Sequence, residues 1–153
     1  MSEFEVRIEE LPSMRVVSFK GFSKTPEMEV HEATVAWAKK KGLLEDFRTF
    51  GFNNPPPWST EGPEYGYELW LVIGHEVEVE EDVEVKDFPG HLCAVTSIEK
   101  LADIGDAWKY LYNWVKDSKD YEHADTNSLE EVTSPMDTPE EELSFNLYLP
   151  VTN

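Results

Sequence analysis

An internal duplication constrains this chain more than any other feature. Val6-Arg7-Ile8-Glu9-Glu10-Leu11-Pro12 recurs as Val83-Glu84-Val85-Lys86-Asp87-Phe88-Pro89, an offset of 83 − 6 = 77 residues. Trp37 recurs as Trp114 (114 − 37 = 77), and Tyr67-Glu68-Leu69-Trp70-Leu71-Val72-Ile73 recurs as Phe145-Asn146-Leu147-Tyr148-Leu149-Pro150-Val151 (145 − 67 = 78). A period this long, present only twice, marks a doubled supersecondary unit and not a solenoid. We therefore expect one domain over 1–153 made of two pseudo-repeats, about 1–75 and 82–153.

Within each copy the hydrophobic period switches between two and 3.6. Residues 4–11 and 14–19 alternate as strands about the turn Pro12-Ser13, the second closed by Gly21. Thr25-Pro26 opens a helix that should run to about Lys41, with Gly42 as its stop and Met28, Val35, Ala36, Trp37 and Leu43 toward a sheet. Residues 47–52 and 65–74 follow as strands around a loop holding Pro55, Pro56 and Pro57. The second copy repeats this with strands at 83–88 and 91–97, a helix over about 107–116, and strands at 128–133 and 143–151. The pattern predicts an α+β fold of duplicated βαββ units with antiparallel sheets, one helix packed on each sheet and a ligand groove between the two halves.

The strand at 65–74 separates two faces: Tyr65, Tyr67, Leu69, Leu71 and Ile73 on one, Gly66, Glu68, Trp70 and Val72 on the other. If the first set packs under the helix, Glu68 and Trp70 face the groove, and the same count places Asn146 and Tyr148 there. Phe52 and Trp58 are expected to join from the preceding strand and loop, and Tyr110 from the second helix. The copies differ at one telling position, where the carboxylate Glu68 stands against the neutral amide Asn146. A carboxylate among rings has two chemical uses. Desolvation would raise its pKa and suit it to general acid–base work. Alternatively it holds an organic cation, with each ring adding cation–π attraction of roughly 0.5–2 kcal/mol. One charge in an alternating strand also fits a carboxylate that simply faces water.

Charge and composition narrow the partners. The net charge of −19, from 13 basic and 32 acidic residues, repels phosphate backbones and anionic membrane surfaces, and concentrates cations near the protein. It also serves solubility, and it would suit a basic protein partner. No apolar stretch is long enough to span a bilayer and Met1-Ser2-Glu3 has no signal-peptide character, so a cytoplasmic location is expected. The single Cys93, in the apolar run Leu92-Cys93-Ala94-Val95, reads as a buried inert thiol. His31, His75, His91 and His123 show no metal-ligand spacing, the acidic run from Glu76 to Asp82 lacks a calcium-loop pattern, and no glycine-rich phosphate loop or serine elbow occurs. Neither metal nor cofactor is expected.

Three segments carry a family resemblance: Pro63-Glu64-Tyr65-Gly66-Tyr67-Glu68-Leu69-Trp70, Trp108-Lys109-Tyr110-Leu111-Tyr112-Asn113-Trp114 and Leu147-Tyr148-Leu149-Pro150-Val151. In this order and spacing they resemble the GyrI-like small-molecule-binding family, the effector-binding domain attached to AraC- and MerR-type regulators and also found alone. The resemblance covers nearly the whole chain. It implies duplicated βαββ units around a groove for hydrophobic, often cationic, multidrug-type ligands, with Glu68 as the charge partner among aromatics. Some stand-alone members look like hydrolases of cyclopropane-bearing toxins. Here that reading would make Glu68 the general base, with Tyr148 or Tyr110 donating a proton. Unlike the regulators, the chain shows no DNA-binding segment and is expected to reach a promoter only through a partner. Three functions follow from these readings: a small-molecule-binding module that senses or sequesters a hydrophobic cation, a ring-opening hydrolase, or an acidic inhibitor of a basic protein.

Overall fold

The computed structural model describes residues 4–45, 47–134 and 138–153. Met1-Ser2-Glu3, read above for a signal peptide, lies outside the described residues. The elements, in chain order, are β1 (Arg7–Leu11), β2 (Met14–Ser23), α1 (Pro26–Lys41), β3 (Thr49–Asn53), β4 (Tyr65–Ile73), β5 (Glu84–Phe88), β6 (His91–Ile98), α2 (Ile104–Asp117), β7 (Glu122–His123), β8 (Leu129–Val132) and β9 (Phe145–Thr152). They pack as two units, one of residues 14–88 and one of residues 1–13 with 89–153.

In the 14–88 unit the strands lie in the order β3-β4-β2-β5, all antiparallel. Helix α1 begins at Pro26, whose fixed φ suits the first turn. Thr25 makes no side-chain cap; instead the Ser23 hydroxyl accepts the Thr25 N–H (3.1 Å) and donates to Glu29 (2.6 Å). Gly42 ends the helix at φ 71°, a left-handed conformation that glycine takes without a Cβ clash. Lys39, Lys40 and Lys41 sit in the last turn against the negative end of the helix dipole.

The buried stripe of α1 is Val30, Thr34, Trp37 and Ala38, whereas Met28 is 58 % exposed and Ala36 faces solvent. The sequence reading placed Trp37 on this stripe but not Val30, Thr34 or Ala38, because Thr34 is polar and breaks the apolar pattern. Thr34 enters the core by donating its hydroxyl to the Val30 carbonyl (2.7 Å), so no hydrogen bond is lost on burial. Strand β2 also runs past its expected end at Gly21. A Cβ there would sit 2.6 Å from Val30 Cγ2, so the glycine serves the close approach of α1 and does not stop the strand. Under the helix lie Val17, Phe19, Tyr67, Leu69, Leu71 and Ile73, the face that alternation had assigned to it.

In the other unit the order is β1-β6-β9-β8, again antiparallel, with the short β7 also paired to β9. Helix α2 starts at Ile104, earlier than expected, after a 3-10 turn over Leu101–Asp103. Its Ala107, Leu111 and Val115 pack on Ala94, Ile98, Phe145, Leu147, Leu149 and Val151. Each unit is thus an antiparallel sheet with one helix on one face, the predicted fold class.

The packing units are cut differently from the sequence copies. β1 pairs with β6 and β5 with β2, so each unit takes its edge strand from the other copy. Pro12-Ser13 and Pro89-Gly90 pass the chain from one unit to the other instead of closing hairpins. Proline cannot donate to a ladder, and Gly90 (φ 88°) leaves no room for a Cβ, which would lie 2.9 Å from the Leu11 carbonyl oxygen. No helix among the described residues is long and apolar enough to cross a membrane.

Candidate functional site

Glu68 is the centre of the site. Strand alternation turns it away from α1, and register places it beside Phe52 on β3 and Lys20 on β2. The carboxylate is 1 % exposed. Its Oε2 accepts from the indole Nε1 of Trp70 (2.6 Å), the hydroxyl of Ser18 (2.8 Å) and the ammonium of Lys86 (2.6 Å). Its Oε1 accepts from Nδ2 of Asn54 (3.1 Å). Burial alone pushes this carboxyl upward, but the bonds from Lys86, Trp70, Ser18 and Asn54 outweigh it and hold Glu68 at about 2. The rise expected from desolvation is therefore reversed, because the face around Glu68 is dry yet rich in donors. Among the described residues, no buried side-chain nitrogen or oxygen lacks a partner.

Two further rings flank Trp70. Phe52 meets Trp70 edge-on at 5.1 Å, Phe88 lies 5.9 Å from Trp70, and the Lys86 ammonium stands 5.8 Å from the centre of the Trp70 ring. Lys86 and Phe88 come from β5, the strand beyond β2, about two strand spacings or roughly 10 Å from β4. Only a long side chain bridges that span. A second carboxylate–indole–lysine set lies at the end of α1. There Glu80 accepts from Trp37 Nε1 (3.1 Å) and pairs with Lys41 (2.7 Å), which stands 5.5 Å from the Trp37 ring. That set is open to water, whereas the Glu68 carboxylate is not.

Of the other sequence-predicted site residues, Asn146, Tyr148 and Tyr110 belong to the other unit and Trp58 to the loop before β4. Asn146 and Tyr148 lie on the face of β9 opposite α2, gathered around Glu131 of β8. Tyr148 donates to Glu131 Oε1 (2.7 Å), Asn146 reaches the same oxygen at 3.5 Å, and Ser97 donates to Asn146 (2.6 Å). Tyr110 packs on Phe4 (5.6 Å) and borders a hollow of about 580 Å³ at the C-terminal end of α2, together with Trp114 and Asp117. Trp58 is 84 % exposed on a 3-10 turn over Pro57–Ser59, and is neither a donor to Glu68 nor one of the rings set on Trp70. The structure thus joins Glu68, Trp70 and Phe52 in one cluster.

Ser18, Asn54, Lys86, Phe88 and Glu131 were not singled out from sequence. Lys86 had a signal: it is the only Lys or Arg between residues 49 and 99. One cation in so acidic a stretch invites a search for its carboxylate. Among the described residues no group of three or more His, Cys, Asp or Glu is placed to hold a metal. Cys93 is buried, and that burial, followed by the charges of Glu10 and Glu9, pushes its thiol up to about 12.

Comparison with known proteins follows the same lines. The chain superposes on EcmrR in its DNA complex with a TM-score of 0.73 at 14 % identity, covering 98 % of this chain and 58 % of that one. It thus spans less than two thirds of that chain's length. It matches a hydrolase from Listeria innocua with a TM-score of 0.69 at 11 % identity over 97 % of this chain and 92 % of that one. It matches SAV2435 bound to tetraphenylphosphonium with a TM-score of 0.55 at 9 % identity over 97 % and 94 %. At these identities the likeness is one of fold. The family Cass2, described as integron-associated effector binding protein, matches residues 7–151. That match spans nearly the whole chain, which therefore belongs to the Cass2 family of effector-binding proteins, within the GyrI-like group that its sequence resembles.

Proposed function

We propose that the chain binds a hydrophobic organic cation, with Glu68 as the charge partner and Trp70, Phe52 and Phe88 as the apolar contacts. One observation carries this reading: a buried carboxylate, kept ionised, on the sheet face that no helix covers in its own unit. An ionised carboxylate in a dry setting attracts a cation far more strongly than one in water. The adjoining rings favour a cation whose charge is spread over apolar groups, because such an ion is cheap to dehydrate and gains from the ring faces. The family is one of effector-binding proteins, and a structural neighbour has been captured with tetraphenylphosphonium, a cation of this type. Sensing or sequestering such a compound is the biological role we assign.

The hydrolytic alternative asks Glu68 to take a proton from water. A carboxylate held at about 2 is a weak base at neutral pH, and four donors already occupy its oxygens. Titration with tetraphenylphosphonium, followed by quenching of tryptophan fluorescence, tests the binding reading. Wild-type protein should bind at least tenfold more tightly than Glu68→Gln. Equal affinities would remove the charge role.

A further inference from the structure

The Glu68 carboxylate already has a cation. Lys86 touches both groups that the proposed function reserves for the ligand, with its ammonium 2.6 Å from Glu68 Oε2 and 5.8 Å from the Trp70 ring centre. The partners differ in freedom. Glu68 is 1 % exposed and is also fixed by Trp70, Ser18 and Asn54, while the Lys86 side chain is 33 % exposed. Lys86 also belongs to β5, which ends the strand order of its unit and pairs there with β2. Of the three donors on Oε2, the indole and the hydroxyl are held within buried strand positions; only the ammonium has water to withdraw into.

Resting on the cation-binding reading, we infer that Lys86 is a resident counter-ion: it fills the cation subsite of Glu68 and Trp70, and a ligand binds by displacing it. The exchange breaks one ammonium–carboxylate pair and forms another, so charge alone gives the ligand little advantage. Lys86 also competes from a tether, at an effective concentration on the order of millimolar or higher. Compact, strongly hydrated cations must lose their water without gaining apolar contact, so they fail against it. A delocalised cation with aromatic arms adds contact with Trp70, Phe52 and Phe88 and costs less to dehydrate. Lys86 therefore sets the specificity of the site as a threshold: it excludes potassium and simple amines and admits lipophilic cations.

The test compares wild type, Lys86→Met, Lys86→Arg and Glu68→Gln with three probes: tetraphenylphosphonium, tetramethylammonium and the uncharged triphenylphosphine oxide. Lys86→Met should bind tetraphenylphosphonium at least tenfold more tightly than wild type and gain measurable affinity for tetramethylammonium. Its affinity for triphenylphosphine oxide should stay within about twofold of wild type. Lys86→Arg keeps a cation on the Glu68 carboxylate and should, unlike Lys86→Met, gain no affinity for tetramethylammonium. Independently of any variant, the side-chain ammonium signal of Lys86 in ¹⁵N-lysine-labelled wild-type protein should move to the position of a solvated lysine when tetraphenylphosphonium saturates the site. No gain in Lys86→Met, or an unmoved Lys86 signal at saturation, overturns the counter-ion while a weakened Glu68→Gln leaves cation binding standing. Equal binding by wild type and Glu68→Gln overturns the cation reading and the counter-ion with it, as does absence of binding by both wild type and Lys86→Met.

Discussion

Replacing Glu68 by glutamine should make the protein less stable at neutral pH and less different from wild type in acid. In the folded chain the carboxyl sits at about 2 against an ordinary value of 4.5. At about 1.4 kcal/mol per pH unit, that gap corresponds to roughly 3 kcal/mol of stability. The sign follows from the direction. A carboxyl whose folded value is depressed stabilises the fold above its unfolded value and loses that contribution as pH falls from about 5 toward 2. Glutamine keeps the shape but has one neutral acceptor oxygen in place of two charged ones, so Trp70, Ser18, Lys86 and Asn54 can no longer all be matched as before. Urea unfolding followed by circular dichroism at pH 7, 5 and 3 measures the difference between the two proteins. Because both carry every other acid of this −19 chain, their common acid sensitivity cancels. The expected gap is about 3 kcal/mol at pH 7 and about half of that at pH 3. A gap of the same size at pH 7 and pH 3 would show that the carboxylate is not held by its four donors, and the site argument would lose its base.

The remaining predictions concern the frame that carries the site. Gly66→Ala would drive a Cβ into the carbonyl oxygen of Asn54, and backbone cannot yield as a side chain can; we expect a loss of about 1–3 kcal/mol by chemical denaturation. Leu111→Ala in α2, at a position with no exposed surface, should cost about 2–5 kcal/mol by the same measurement. The Cys93 thiol, pushed to about 12 by burial and then by Glu10 and Glu9, should resist an aromatic disulfide reagent at pH 8 and react once urea unfolds the chain. Rapid stoichiometric reaction of the folded protein would contradict its burial.

Much of the fold was legible because the strong signals in this chain are periodic. Alternation along β4 alone decided that Tyr67, Leu69 and Leu71 lie under a helix while Glu68 and Trp70 turn away. Gly42 marked the end of α1 because its backbone conformation is one that residues with a Cβ resist. What escaped the sequence was pairing at a distance. The recurrence of residues 6–12 at 83–89 identifies equivalent strands but not which sheet each joins, and the two strands occupy each other's units. The same limit hid Lys86. Its bond to Glu68 spans 18 residues and an intervening strand, so no local pattern places the two together. With Lys86 unseen, the raised pKa that desolvation would give stood as one of the open readings of Glu68, and the structure places the shift the other way.

The duplication itself argues where function resides. Between the copies the helix-facing positions keep their character: Tyr67 and Phe145, Leu69 and Leu147, Leu71 and Leu149 are all apolar and packed beneath α1 or α2. The alternate positions diverge, Glu68 against Asn146 and Trp70 against Tyr148. A core tolerates few changes of volume or polarity, so both copies retain the same answer on that face. The opposite faces each gathered a buried carboxylate, but from different strands and with different company. Glu68 on β4 is held by an ammonium, an indole, a hydroxyl and an amide, and Glu131 on β8 receives the Tyr148 phenol and a long contact from Asn146. If these faces existed only to be buried, apolar residues would serve as well without the cost of dehydrating a charge. The Glu80–Trp37–Lys41 set brings the same three groups together in a more open place. It clamps the end of α1 in contact with water, where dehydration costs little. Glu68 carries the same chemistry into a buried setting, and the cationic, apolar ligand proposed above would account for that expense.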